Sequence, residues 1–350
     1  MGKLNYSGTG IIALNSRRGE IITSNTQNHA YLFGGYGKKT SGTGAVPNVE
    51  IYDKSLTRTI PTELSMNTTN SYGATNVGEY AIVTGIRAIV NAYDDSSLTR
   101  IIPTELSQQR SSFAATNIGN YALFGGGYEY SGGTTNYYDI IDVYDALLTR
   151  TTPITLSVGR QQLGAISIGN YALFGGGLNA SVSNVVDAYD ASLTRTIPTT
   201  LSIPYKNMAT ASVGNYALFG GGSASSPTNV VNAYDTSLTR TTPTTLTNSC
   251  YAITATNIGI YALFGGGYNN NSSSYYNTVD AYDTSLTKTS AHALSRNMSN
   301  VGAVSIGNYA LFAGGQYYSG GITYTSDIDL YSYINYDLKQ MTKIFIPIFD

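Results

Sequence analysis

Of 350 residues, 42% are apolar and only 11% charged, with a formal net charge of −2 and polarity supplied by 31 Tyr, 38 Gly and abundant Ser, Thr and Asn. That balance excludes a disordered chain, and the lack of any Lys/Arg run removes the basic track a phosphate backbone needs, so no nucleic-acid partner is expected. Cys250 stands alone and can form no internal disulfide; neither it, His29 nor His292 has a second ligand at metal spacing, so neither metal nor other cofactor is expected.

The first element in chain order is residues 3–14, whose apolar run at 11–14 is too short for a signal-peptide core or a membrane span. The expectation is a product made in the cytoplasm, without membrane insertion. A motif of the form Tyr-Ala-Leu-Phe-Gly-Gly then recurs with its tyrosine at 31, 80, 121, 171, 216, 261 and 309. Each copy follows a small-residue run ending in Ile/Val-Gly-Asn, as in residues 165–170, and precedes a Val-x-Ala-Tyr-Asp run and a Leu-Thr-Arg-Thr run. β-Branched and aromatic runs, a Gly-Asn hairpin signal and no helical period predict four short strands per unit. Seven such units laid flat would expose a row of edges; radial closure removes them, and predicts an all-β, seven-bladed propeller with four antiparallel strands per blade.

Residues 1–350 then form one domain, with blades at about 17–64, 65–106, 107–156, 157–201, 202–246, 247–294 and 295–350. The unit from Tyr80 is the most degenerate, with Thr84-Gly85 in place of the glycine pair. For the fourth strand of the last blade, residues 3–14 and 338–348 compete. The N-terminal segment is favoured, its Ile11 and Leu14 matching Ile197 and Leu201, which leaves the C-terminal segment to dock elsewhere.

Variation is confined. From Tyr-Asp to the leucine ending the fourth strand is 12 or 13 residues in six units, and from there to the next motif 15 or 16, whereas the second Gly to Tyr-Asp spans 17, 8, 18, 13, 13, 16 and 16. In an antiparallel blade this variable loop and the connection into the next blade emerge on one face. The loop contributes Tyr128, Tyr130, Tyr137, Tyr138, Asn179, Tyr268, Asn269, Asn270, Tyr275, Tyr276, Tyr317 and Tyr318 as candidate ligand contacts. The connection contributes Arg110, Arg160, Tyr205, Lys206, Tyr251 and Arg296. Of 31 tyrosines, fourteen are repeat positions and fourteen of the other seventeen lie in these variable segments. Rigid amphipathic rings among small polar residues are what adaptable binding surfaces use, and rings with amides equally suit a sugar. Loops that vary by default are the competing reading.

The constant side carries an Asp and an Arg or Lys once per blade, as at Asp190 and Arg195, which read as turn caps and ion pairs rather than catalytic groups. Three residues before that Asp stand Glu50, Asn91, Asp142, Asp187, Asn232 and Asp280; an oxygen ring for calcium is weakened by its two Asn members.

Gly125-Gly126 with Tyr144, Gly175-Gly176 with Tyr189, and Gly220-Gly221 with Tyr234 resemble the kelch family over nearly the whole chain. The likeness departs at the fourth strand, where the family's Trp is missing and Leu193-Thr194-Arg195 stands instead. Kelch-type propellers include copper radical oxidases and sugar isomerases, but the oxidases' His pair and Cys–Tyr cross-link have no counterparts among two His and one Cys. The tandem units are also similar to kelch-like proteins of bacteriophages and prophages of Firmicutes. That resemblance implies a non-enzymatic virion component, in tail, baseplate or capsid, binding a cell-surface glycan or protein and meeting other virion proteins through a terminal segment. An intracellular protein-interaction scaffold and a carbohydrate-active enzyme are the alternatives.

Overall fold

The run Tyr-Ala-Leu-Phe-Gly offers a strand no polar face: from its second residue on, every residue of Tyr171–Gly175 is buried, as are all but the last of Val186–Asp190. Strands apolar on both faces need a neighbour on each, and blades stacked side by side supply them. The computed structural model describes residues 22–26, 28–34, 36–39, 42–45, 47–65, 73–85, 87–334 and 337–340. Its strands form seven four-stranded antiparallel sheets and four small two-stranded hairpins, with no helix among the described residues. In the fourth blade the order outward is Gly164–Ile168, Tyr171–Gly175, Val186–Asp190 and Arg195–Thr196. The first strands touch one another around the axis, and Ile22–Asn25 contacts both Gly73–Val77 and Gly302–Ile306, so the first and seventh blades meet. A methyl at Gly307, in a hairpin of the seventh blade, would lie 3.5 Å from Lys54 in a turn of the first.

Blades interlock through the Phe-Gly pair of the motif. Phe174, Phe219, Phe264 and Phe312 each lie over the glycine ending the preceding blade's second strand: a methyl on Gly125, Gly175, Gly220 or Gly265 would sit 2.7 or 2.8 Å from that ring. A third-strand tyrosine meets the same Phe edge to face, as in Phe174–Tyr189 (6.0 Å, 89°) and Phe264–Tyr282 (5.8 Å, 84°). Most of these tyrosines then reach back across the seam: Tyr144, Tyr234 and Tyr282 donate their hydroxyls at 2.7 Å to the carbonyls of Thr104, Thr199 and Thr244.

Turn and edge chemistry follow the sequence. Asp190 accepts the N–H groups of Ser192 and Thr194, both at 2.9 Å, and the Leu193 between them is held at φ 60°. A leucine there costs about 1–2 kcal/mol of backbone strain, and its side chain packs against the core in return. Outer strands such as Arg195–Thr196 are two residues long and run into Pro198, an edge too short to template another chain.

Two expectations are corrected. In the first blade Ala30 pairs with Tyr52 as Ala122 pairs with Tyr144, so His29, not Tyr31, is the counterpart of Tyr121. Tyr31 takes a buried leucine position, and His29 Nδ1 lies 2.8 Å from the buried Asp95 of the second blade. The shift puts Leu32 where other blades carry Phe, and Phe33 where they carry Gly. Both changes are matched across a seam: Leu32 packs with Ala313 in place of glycine, and Phe33 with Val83 in place of phenylalanine. The second correction concerns closure. The fourth position of the seventh blade is filled by Asp337–Gln340, with Ile334 paired to Asp337 and Tyr331 to Gln340, not by the N-terminal segment the sequence favoured. Residues adjacent in sequence close a hairpin at far less entropic cost than a segment from the other chain end. Residues 3–14 and 341–350 lie outside the described residues.

The interlock is testable by a double-mutant cycle. Gly175→Ala should lower the unfolding free energy by about 1–3 kcal/mol. Adding Phe219→Leu, the combination that Ala313 and Leu32 already use, should recover part of the loss in a denaturant titration. Strictly additive losses would sink the account.

Candidate binding face

On the variable face, the segment entering each of the third to seventh blades is stitched to the segment leaving its second strand: Ser111 bridges Tyr128, Gln161 Leu178, Lys206 Ser223, Tyr251 Tyr268 and Ser299 Gln316. The next residue in three of these segments donates its N–H to the blade before it, Gln162 to Ser112 (2.9 Å), Asn207 to Gln162 (3.1 Å) and Asn300 to Ala252 (3.0 Å). All five of these residues hold left-handed φ between 54° and 61°. A run of non-glycine residues in that region marks a rim whose conformation the surrounding blades impose.

Arg110, Arg160 and Tyr205, read as surface contacts, are instead wholly buried. Each occupies one equivalent position and reaches the residue three before the turn Asp. Arg110 pairs with Asp142 at 2.7 Å and donates to Phe124 O at 3.0 Å; Arg160 pairs with Asp187 at 2.8 Å and donates to Phe174 O at 3.0 Å. The outer arginines come to the same acids, Arg150 to Asp142 at 2.9 Å and Arg195 to Asp187 at 3.7 Å. In the fifth blade Tyr205 replaces the arginine and Asn232 the acid: Tyr205 donates to Phe219 O at 3.1 Å and accepts from Asn232 Nδ2 at 2.9 Å. In this blade the inner cation and the acid are replaced together by a neutral pair; the other neutral member of the ring, Asn91, accepts from Ser65 N and Oγ. In the sixth blade Cys250 takes this position, and burial, then the charge of Asp280, pushes its thiol up to about 12. Sequence spacing assigned these residues to the correct connection; it carried no signal that their side chains turn inward.

The other candidates divide by blade. In the third, Tyr128 and Tyr137 pair across a hairpin, Tyr138 donates to Glu129 at 2.9 Å and Tyr130 stands 68% exposed. Asn179 and Asn269 shape their own loops, donating to Gly159 O at 2.7 Å and Ser249 O at 2.8 Å; Asn270 is exposed and Lys206 half-buried. Arg296 is held by Asp327 at 2.7 Å and lies 5.1 Å over the Tyr317 ring, while Tyr318 is exposed. Tyr276 leans on the core between the fifth and sixth blades.

One concavity gathers what remains. Tyr251, Ala252, Tyr268 and Tyr275 of the sixth blade face Ser299, Asn300, Gln316, Ile322 and Tyr324 of the seventh across a cleft of about 410 Å³. Tyr251 and Tyr268 meet edge to face at 5.7 Å, and Tyr268 and Tyr275 lie 4.7 Å apart at 45°. Burial first, then the neighbouring phenols, raise the pKa of Tyr275, so its O–H stays neutral. Ser299, Asn300, Gln316, Ile322 and Tyr324 were not singled out from sequence; of these only Tyr324 carried a signal, as one of the variable-segment tyrosines. Two adjacent blades with long hairpins are needed to wall such a cleft, and Tyr268–Asn269 with Ser274–Tyr275, beside Gln316–Tyr318 with Ile322–Tyr324, meet that need. The fourth and fifth blades have short loops in their place. Among the described residues, no group of three or more His, Cys, Asp and Glu side chains could hold a metal ion.

No family model and no curated protein matches the chain. Among solved structures it is similar to one described as the structure of YjhT, with a TM-score of 0.62 and 11% identity over 77% of this chain and 96% of that one. A likeness at that identity is one of fold.

Two measurements probe the buried position. Asp187→Asn strands the Arg160 charge and should destabilise the chain by about 3–5 kcal/mol; Arg160→Tyr added to it reproduces the fifth blade and should return most of that, read by thermal melts of single and double variants. Cys250 should resist thiol reagents at pH 8 until denaturant is added; rapid labelling of the native protein would contradict its burial.

Proposed function

We propose that this chain is a non-enzymatic binding module, a phage virion-associated structural or host-attachment protein whose variable face binds a cell-surface glycan or protein. The observation that carries this reading is the cleft between the sixth and seventh blades. There four tyrosines and two side-chain amides from neighbouring blades converge on one concavity. Function concentrates on loops held by a rigid scaffold, and the interlocked blades are such a scaffold. The kelch-type repeat and its likeness to phage and prophage proteins of Firmicutes supply the virion role, with a terminal segment meeting other virion proteins.

Two readouts test the proposal. Labelled protein should be retained on Firmicutes cells, and Tyr268→Ala with Tyr275→Ala should weaken retention at least about tenfold with little change in melting temperature, as loss of central aromatic contacts does. Undiminished retention would remove the cleft from the binding surface. Antibody against the chain should decorate intact phage particles; particles without label would remove the virion role while leaving the binding module standing.

A further inference from the structure

Resting on that reading of the face, we infer that the cleft between the sixth and seventh blades takes an uncharged saccharide, stacked on tyrosine rings and hydrogen-bonded by the Asn300 and Gln316 side-chain amides. The cleft volume of about 410 Å³ falls in the range of about 300–1,000 Å³ typical of small-ligand sites. Its aromatic walls are mutually inclined, Tyr251 at 85° to Tyr268 and Tyr268 at 45° to Tyr275, so ring faces and ring edges are both presented. The electron-rich face of a phenol attracts the weakly positive C–H face of a pyranose, and its neutral O–H can serve a sugar hydroxyl.

Asn300 gives the cleft a specific polar group. The residue lines the cleft, is only 4% exposed and is held at φ 54° by the rim, and its side chain makes no hydrogen bond among the described residues. With no protein partner among them, the amide can turn both its donor and its acceptor to a ligand. Vicinal hydroxyls engage both. Gln316 contributes a second amide, engaged only by a long 3.5 Å contact from its Nε2 to Ser299 Oγ.

Charge decides between saccharide classes. No acidic or basic side chain is among the residues lining the cleft, and the cation in the connection entering the seventh blade, Arg296, is taken by Asp327 and the Tyr317 ring. A carboxylate or phosphate on the ligand would lose its hydration here without gaining a counter-charge. Neutral hexose or N-acetylhexosamine units meet no such penalty.

The full chain is tested on an array that carries neutral oligosaccharides beside sialylated, uronic-acid and phosphate-bearing ones, with affinities of retained glycans measured by calorimetry. Neutral glycans should be retained and anionic ones not. Asn300→Gly, which suits the left-handed backbone and removes the amide with its methylene, should weaken binding about tenfold, as should Tyr275→Ala. Leu147→Ala, in an exposed turn on the constant side of the third blade, should leave affinity unchanged. Preference for anionic glycans, or full affinity in Asn300→Gly, overturns the inference. Retention on cells with no glycan bound overturns it too, and leaves a protein ligand for the face. Failure to bind either glycans or cells removes the underlying reading as well.

Discussion

The propeller depends on a single complementarity: a phenylalanine from one blade enters the space left by a glycine in the blade before it. Around this contact the third-strand tyrosine closes from the side, and its hydroxyl ties down the outer segment of the preceding blade. Two seams change both partners together: Leu32 sits with Ala313, and Val83 with Phe33, so these seams trade volume from one side to the other. The seam between the second and third blades departs from the rule, with Thr84 in the glycine position and Phe124 retained.

Electrostatics obey the same pairwise logic. Arg110 and Arg160 are tolerated inside because an aspartate and backbone carbonyls receive them, and where the fifth blade gives up the cation it gives up the anion too. The acids of the third and fourth blades therefore serve the inner arginine and the outer one at once. Their role is to fasten the segment entering each blade to the sheet it has just reached, and that in turn fixes the rim on which the cleft is built.

Much of this was legible in the sequence. Seven tyrosine-glycine motifs, four strand-like runs and a hairpin signal per unit led directly to the ring, and loop-length variation identified the face with the cleft. What misled was local resemblance. Tyr-Leu-Phe-Gly-Gly at residue 31 imitates the motif with its tyrosine two residues and its Phe-Gly one residue out of register, and only backbone pairing reveals that His29 is the true counterpart. Inward and outward side chains were equally opaque: Arg110 and Arg296 occupy the same kind of connection, yet one is sealed in the blade and the other lies on the surface. Asn300 escaped notice because nothing in a single sequence distinguishes a left-handed asparagine at a rim from an ordinary loop residue.

The seventh blade completes itself with the strand that follows it in the chain, so every blade is one contiguous stretch, and the first and last meet as any other neighbours do, through side chains. Many ring-shaped proteins would lose their clasp if a unit were inserted or removed. Here a unit can be duplicated or deleted between any two blades without leaving another short of a strand. The close similarity of the fourth and fifth units, with equal loop lengths, is the pattern such copying leaves behind. The architecture lets one copy keep the fold while its twin acquires new loops, and the pair of long hairpins that wall the cleft is one outcome of that freedom.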